Sequence, residues 1–186
     1  MAKRVLIMGP PGSGKGTQAA KICAQRGLDH VATGDILREA MRTGSEMGRK
    51  VKAVVDSGNL VGDGLMYELV KVRLREESAQ GGFMLDGFPR TVPQAEALLE
   101  LLGKDGIEAV VLLRVPEEAI VERLLLRGRT DDTEETIRHR LEVYEKETEP
   151  VLRYLESQGV KIVVVDGMGS VDLIAKRIEG VLDAIN

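Results

Sequence analysis

The sequence predicts an α/β fold, in which a five-stranded parallel sheet carries helices on both of its faces. Short apolar runs alternate along the chain with segments of helical pattern, which is the order expected of a parallel sheet with right-handed crossovers. The apolar runs are continuous rather than alternating, as expected of strands buried on both faces. A glycine-rich loop joins the first run to the first helix. With 186 residues, the chain fits a single domain spanning 1–186.

The predicted strands are brief and bounded by turn residues or helical patterns. They cover residues 5–8, 31–32, 83–85, 110–113 and 162–165. Ligands of such sheets bind at the carboxyl ends of the strands, so the residues that follow each strand are the first candidates for a site.

The predicted helices follow start and stop signals. The segment 92–102 has Pro93 in its first turn and Gly103 after its end, the usual asymmetry. Helices are also expected from the glycine loop onward, at 116–127 and at 171–185. A long helix is expected at 133–157, where Pro150 must bend or break it.

Three helical segments, 34–43, 46–56 and 64–76, lie between the second and third strands. A crossover between two parallel strands needs fewer helices than three, so we predict a small helical insert beside the sheet. The stretch 57–64 holds three glycines and is expected to act as a flexible joint.

Composition limits the function classes. The net charge of −4 argues against general nucleic-acid binding. Cys23 is the single cysteine, so no internal disulfide and no cysteine zinc cluster is expected, and it is interpreted as core. The chain reaches its glycine loop too early for a signal peptide, and no run approaches membrane-spanning length. We therefore expect a cytoplasmic monomer with no membrane partner.

The glycine loop at 9–17 reads Gly-Pro-Pro-Gly-Ser-Gly-Lys-Gly-Thr. Glycines let backbone N–H groups approach a phosphate, and the helix that follows points its positive end at the same place. The positive charge of Lys15 is unfavourable near the positive end of this helix, and phosphate oxygens would remove that repulsion. Gly16 stands where serine or threonine usually follows the lysine, and Thr17 comes one residue later. The alternative is a glycine-rich turn with a surface lysine.

Asp86 ends the third apolar run, a position suited to organising Mg²⁺ on nucleotide phosphates. A strand-end aspartate is otherwise a common turn former. Arg90, four residues later, carries a fork of donors suited to phosphate.

Five arginines interrupt the acidic chain: Arg123, Arg127, Arg129, Arg138 and Arg140. The first two share a helix face, whereas the last two point about 200° apart. They either surround a triphosphate or form a solvated surface paired with nearby glutamates. Asp132, which follows Asp131, is predicted to cap a helix with Glu135, with a lid-closing role as the alternative. His30 and His139 are interpreted as structural or surface residues.

Several motifs together resemble the adenylate kinase family over nearly the whole chain. They are the loop 9–17, Thr-Gly-Asp-Ile-Leu-Arg at 33–38, Phe-Met-Leu-Asp-Gly-Phe-Pro-Arg at 83–90, Arg-Gly-Arg at 127–129, Asp-Asp at 131–132 and Arg-His-Arg-Leu at 138–141. The Gly16-Thr17 departure is itself the form that this family uses. The resemblance implies a P-loop NTPase fold with a helical AMP-binding insert at 31–61. It also implies a very short lid segment at 128–137.

The resemblance also implies residue roles. Lys15 and the loop would hold the ATP phosphates, Arg123 would pack on the ATP adenine, and Arg127, Arg129 and Arg140 would surround the transferred phosphoryl group. Arg38 and Arg90 would bind the AMP phosphate, Thr33 and Gln94 the AMP base, and Asp86 would position Mg²⁺ through water. The implied catalytic residues are Lys15, Arg90, Arg127, Arg129 and Arg140. The implied ATP-binding residues are Gly12, Ser13, Gly14, Lys15, Gly16, Thr17, Arg123, Arg127 and Gly169. The implied AMP-binding residues are Thr33, Gly34, Arg38, Leu60, Val61, Gly87, Arg90, Gln94, Arg129 and Arg140.

The expected reaction is reversible phosphoryl transfer from MgATP to AMP, giving two ADP. A kinase of the UMP/CMP type and a non-catalytic P-loop switch are the alternatives. Asparagine occurs only at 59 and 186, so no guanine-reading Asn-Lys-x-Asp motif exists. One departure from the family concerns Gly62 and Gly64, which replace the proline and glutamate of Leu-Val-Pro-Asp-Glu. We expect this to loosen the joint.

Overall fold

A computed structural model describes residues 3–44, 46–103, 106–129 and 132–185, without the side chains of Met47, Glu77 and Ser78. Five parallel strands form one sheet in the order β2-β3-β1-β4-β5. They are β1 (Arg4–Met8), β2 (Asp29–Ala32), β3 (Phe83–Asp86), β4 (Ala109–Arg114) and β5 (Lys161–Asp166). The predicted α/β class and the five-stranded parallel sheet are confirmed.

Ten α-helices and one π-helical turn connect the strands within the described residues. In chain order they are α1 (Lys15–Arg26), α2 (Thr33–Arg42), α3 (Glu46–Asp56), α4 (Asp63–Leu74), α5 (Glu77–Gln80), α6 (Val92–Leu102), α7 (Glu117–Arg127), α8 (Glu134–Val143), the π turn (Tyr144–Thr148), α9 (Glu149–Ser157) and α10 (Val171–Asp183). No described helix is long and apolar enough to cross a bilayer.

The central strand β1 shows why its sequence is a continuous apolar run. Leu6 and Met8 lie in a core on one face of the sheet, and Val5 and Ile7 lie in a second core on the other. Successive side chains of a strand point to opposite faces, so a strand covered on both sides needs apolar residues throughout. Cys23 is buried in the second core, as predicted.

The segment predicted as one long helix differs in detail from the expectation. Pro150 lies in the first turn of α9, and the helix before it widens into the π turn Tyr144–Thr148. A proline has no N–H for the preceding turn and its ring crowds that turn, so the wider turn accommodates it. The chain therefore remains helical from α8 to α9. The short helix α5 was not predicted.

The glycine-rich joint contains a sharp turn. Gly58 has φ +78°, and the stretch 57–62 separates α3 from α4. The helices α2 and α3 follow β2 directly and stand beside the carboxyl ends of the strands, where they contact each other. The fold thereby places the predicted insert next to the glycine loop.

Candidate active site

A cavity of about 770 Å³ opens at the carboxyl ends of the strands. Its walls include the glycine loop, the start of α2, the joint before α4, the turn after β3, and the arginine-bearing helices α7 and α8. Most of the residues that sequence reasoning selected meet here.

Two glycines of the loop have a conformation or contacts that side chains would not tolerate. Gly14 precedes α1 with φ +94°. A Cβ on Gly12, whose φ is +81°, would lie 2.7 Å from Leu124. The loop therefore presents its backbone closely, as a phosphate cradle requires.

Lys15 is the first residue of α1 and points back into the loop. Its Nζ donates to the carbonyl oxygens of Gly9 at 2.7 Å and Pro10 at 2.8 Å. Burial lowers the pKa of Lys15 to about 8; the carboxylate of Asp86 opposes this shift, and Arg90 and Arg127 add to it. A partly buried cation with two arginines nearby is suited to an anionic ligand.

The loop also buries a hydroxyl group. Ser13 is 1 % exposed, and its Oγ has no hydrogen-bond partner among the described residues. Ser13 does not line the cavity, unlike Gly12 and Gly14 on either side of it.

A buried carboxylate organises the arginines. The side chain of Asp132 is fully buried and accepts bonds from Arg127 Nε and Nη2 at 2.8 and 2.7 Å. It also accepts from Arg140 Nη1 and the backbone N–H of Arg129, both at 3.2 Å. Burial alone would raise the pKa of Asp132, but these bonds and charges hold it below its ordinary value.

The predicted capping box is therefore wrong. Thr133 is the N-cap of α8, and its side chain accepts from the N–H of Thr136. Asp132 turns inward instead, because a carboxylate gains more from a bidentate arginine than from a helix end. Asp131 lies outside the described residues.

The two neighbouring arginines of α8 point in different directions, as their spacing predicts. The Arg140 side chain is 15 % exposed and lines the cavity. The Arg138 side chain is 61 % exposed, pairs with Glu134 at 2.9 Å and does not line the cavity.

The turn after β3 holds Arg90 over the cavity. Its Nε donates to the carbonyl of Gly87 at 2.8 Å. Reduced solvation among the cavity walls lowers the pKa of the Arg90 guanidinium; Asp86 opposes this shift, and Arg140 and Arg38 add to it. Gly87 has φ +85°, and a Cβ there would lie 2.5 Å from Thr33 Oγ1. Thr33 in turn donates to the carbonyl of Asp86 at 3.1 Å.

Asp86 faces the beginning of α1, since a Cβ on Gly16 would lie 3.4 Å from its Oδ2. This carboxylate fits a hydrated Mg²⁺ that nucleotide phosphates hold for the most part. Among the described residues, no group of three or more histidine, cysteine or acidic side chains could hold a metal unaided.

Sequence reasoning missed the position of His30. Its Nε2 lies 3.5 Å from Asp86 Oδ2, and it lines the cavity. The sequence lacked a signal for this, because the contact depends on the parallel pairing of β2 with β3, in which Ala32 is opposite Asp86.

The other end of the cavity is more apolar. Leu60, Val61 and Met66 line it with Thr33 and Gln94. Arg38 lines the same region and pairs with Asp35. Gly34 also lines it.

Gly169, which was expected to bind ATP, does not lie beside Arg123 in the cavity. Arg123 Nη2 donates to the carbonyl of Gly167 at 3.0 Å and contacts Met168 Sδ at 3.6 Å. Gly169 does not line the cavity, and a Cβ on it would meet Leu173. The backbone next to Arg123 is thus that of Gly167 and Met168.

The fold and this site define a P-loop nucleotide-binding protein with a cluster of arginines between two ends of one cleft. The family model "Adenylate kinase" matches residues 7–160. The chain is 49% identical over 185 residues to the adenylate kinase of Synechococcus sp. strain CC9902, covering 98% of this chain and 100% of that protein. It is 47% identical over 186 residues to the adenylate kinase of Kocuria rhizophila, covering 97% and 98%. The chain belongs to the adenylate kinase family.

Proposed function

We propose that this chain catalyses reversible phosphoryl transfer between MgATP and AMP, giving two ADP. The observation that carries the proposal is the cavity itself. It has the glycine loop and Lys15 at one end, the pocket of Thr33 and Gln94 at the other, and a group of arginines that also lines it. Two anionic substrates could meet there with their phosphates facing.

In this mechanism ATP takes the glycine loop. Loop N–H groups would bind its phosphates, and Lys15 would exchange the carbonyls of Gly9 and Pro10 for phosphate oxygens. Arg123 would lie along the ATP base. Asp86 would hold, through water, the Mg²⁺ that accompanies ATP and shares its phosphate charge.

AMP would take the opposite end, with its base against Thr33 and Gln94 and the backbone of Leu60 and Val61. Arg38 and Arg90 would hold its phosphate in line with the γ-phosphoryl group. No covalent intermediate is needed, because an AMP phosphate oxygen attacks directly.

Arg127, Arg129 and Arg140 would stabilise the charge on the phosphoryl group in flight. Asp132 preorganises the guanidinium groups of Arg127 and Arg140, which lowers the cost of gathering these cations before the substrate arrives. Closure of the insert and of the lid segment 128–137 over the cleft would exclude water, which would otherwise hydrolyse ATP. We propose that the chain works in the cytoplasm as a monomer; the monomer is supported by the described residues of one chain, which line both ends of the cavity.

A coupled assay of ATP with AMP, CMP, UMP and GMP tests the proposal. AMP should be the preferred acceptor, and Gln94→Leu should weaken its use more than it weakens ATP binding. Comparable turnover with CMP would favour the UMP/CMP-type alternative. Slow hydrolysis without transfer to any acceptor would favour the switch.

A further inference from the structure

The side chain of Gln94 is held from behind by a residue outside the cavity. Asp63, in the first turn of α4, accepts a bond from Gln94 Nε2 at 2.7 Å. Asp63 does not itself line the cavity, whereas Gln94 does. Gln94 is only 2 % exposed, so its amide can turn only if these contacts allow it.

A second bond defines which way the Gln94 amide faces. The backbone N–H of Arg90 lies 2.7 Å from Gln94 Oε1. A backbone N–H can only donate and a carboxylate can only accept, so the amide oxygen must face Arg90 and the amide nitrogen must face Asp63. The orientation of the Gln94 amide therefore follows from its two partners.

Asp63 is itself held in place. Thr91 Oγ1 donates to the same Asp63 Oδ1 at 3.0 Å and accepts from the N–H of Gln94 at 3.3 Å. The hydroxyl proton of Thr91 is therefore directed at Asp63, and the carboxylate is fixed as an acceptor from both neighbours. Thr91 is also the N-cap of α6, so this network is anchored at a helix end.

The locked amide has chemical consequences for the base it meets. After these bonds, Gln94 retains one N–H and one oxygen lone pair for a ligand. Adenine has a donor at its 6-position, the amino group, beside a ring-nitrogen acceptor. Hypoxanthine and guanine carry a carbonyl oxygen at that position. They therefore present an acceptor where adenine presents a donor, in a purine ring of the same size.

We infer that Asp63 is a specificity-determining positioning residue, which locks the Gln94 amide in the orientation that accepts a 6-amino purine and rejects a 6-oxo purine. The inference rests on the proposed function, since it takes AMP as the acceptor at Gln94. An amide free to turn would offer its nitrogen to a 6-oxo group, and the site would lose its preference.

The test compares AMP with IMP, which differs from it at the 6-position and in protonation of the adjacent ring nitrogen. In Asp63→Asn, residue 63 can either donate or accept, so only the N–H of Arg90 still opposes a turned Gln94 amide, and the second orientation becomes less costly. We expect the ratio of kcat/KM for AMP to that for IMP to fall by about tenfold, the scale of one misplaced buried hydrogen bond. The change should come mainly through KM.

Glu68→Gln is the matched control, because it removes the same charge from α4 at an exposed position whose carboxylate pairs with Lys71. Its AMP to IMP ratio should stay at the unmutated value. Asp63→Ser serves if Asp63→Asn does not fold, since serine is tolerated in a first helical turn but is too short to reach Gln94. Calorimetric binding of AMP and IMP gives an independent readout of the same ratio.

An unchanged ratio in both Asp63 variants would overturn the inference, as would an equal loss of activity with both acceptors. If the unmutated protein transfers no phosphoryl group to AMP, the proposed function fails instead. The two failures are therefore distinguishable in one data set.

Discussion

The side chain of His139 on α8 contacts that of Asn59 in the joint before α4, with Nε2 2.8 Å from Oδ1. Ser57 Oγ donates its proton to the carbonyl of Val54 at 2.8 Å and therefore accepts from Asn59 Nδ2 at 3.0 Å, so Asn59 Oδ1 is the acceptor from His139. Beside this pair, a Cβ on Gly58 would lie 3.3 Å from Arg140 Cγ. The insert and the arginine-bearing helix thus meet across the mouth of the cleft.

Asn59→Ala and His139→Ala should each raise the KM for AMP by about threefold to tenfold, because the closed cleft loses one hydrogen bond. The double variant should cost no more than either single variant, as expected for residues that act on each other. Steady-state kinetics on all three proteins measures this coupling. Arg138→Ala, next in sequence but paired with Glu134, is the control. Additive losses would show that the contact does not contribute to closure.

Lys15→Met should reduce turnover by orders of magnitude while leaving the fold intact. A missing charge at the transferring phosphoryl group costs roughly 3 kcal/mol or more. Kinetics together with circular dichroism tests this. Near-normal turnover in a folded variant would contradict the phosphate-loop assignment.

The lowered pKa of Lys15, about 8 without ligand, predicts the direction of a pH effect. As pH rises through 8, the ligand-free protein loses the Lys15 proton, so kcat/KM for ATP should fall. Bound phosphate favours the charged form, so kcat should persist to higher pH. Lys15→Arg stays charged in this range and should lack the fall. A pH-rate profile for the unmutated protein and for Lys15→Arg tests this prediction. An identical decline in Lys15→Arg would show that a group other than Lys15 titrates.

Arg140→Ala should depress turnover by about a hundredfold or more, the scale of removing one transition-state donor. Arg138→Ala should stay within a few fold, because an exposed ion pair contributes little, about 0–1 kcal/mol. The two variants remove the same side chain from one helix, two positions apart. Equal losses in steady-state kinetics would mean that α8 presents its faces differently during turnover.

Gly62→Pro should stabilise the protein by about 0.4–1 kcal/mol. Gly62 has φ −54° and ψ 141°, which a proline adopts without strain, and a Cβ there would meet no described atom within 4 Å. Thermal unfolding measures the gain. Gly58→Pro is the contrasting variant. Proline cannot adopt the φ of +78° found at Gly58, so this substitution should destabilise the protein. A lower melting temperature for Gly62→Pro would show that Val61, the residue before it, does not tolerate the ring.

Local patterns in the sequence determined the sheet, most helices and the residues of the glycine loop. The continuous apolar run of β1 reflects burial on both faces, and the glycines and Lys15 form a contiguous motif between a strand and a helix. Such features depend on residues close together in the chain, so they can be predicted from the sequence. The opposite facing of Arg138 and Arg140 follows from helical geometry alone.

Only the tertiary structure decided contacts between distant segments. Asp132 reads locally as a helix cap, yet it turns inward because packing brings Arg127 and Arg140 to it. His30 reaches Asp86 through strand pairing, and Asp63 reaches Gln94 through the packing of α4 on α6. A polar side chain chooses among partners by their distance and burial, and these exist only once the chain has folded.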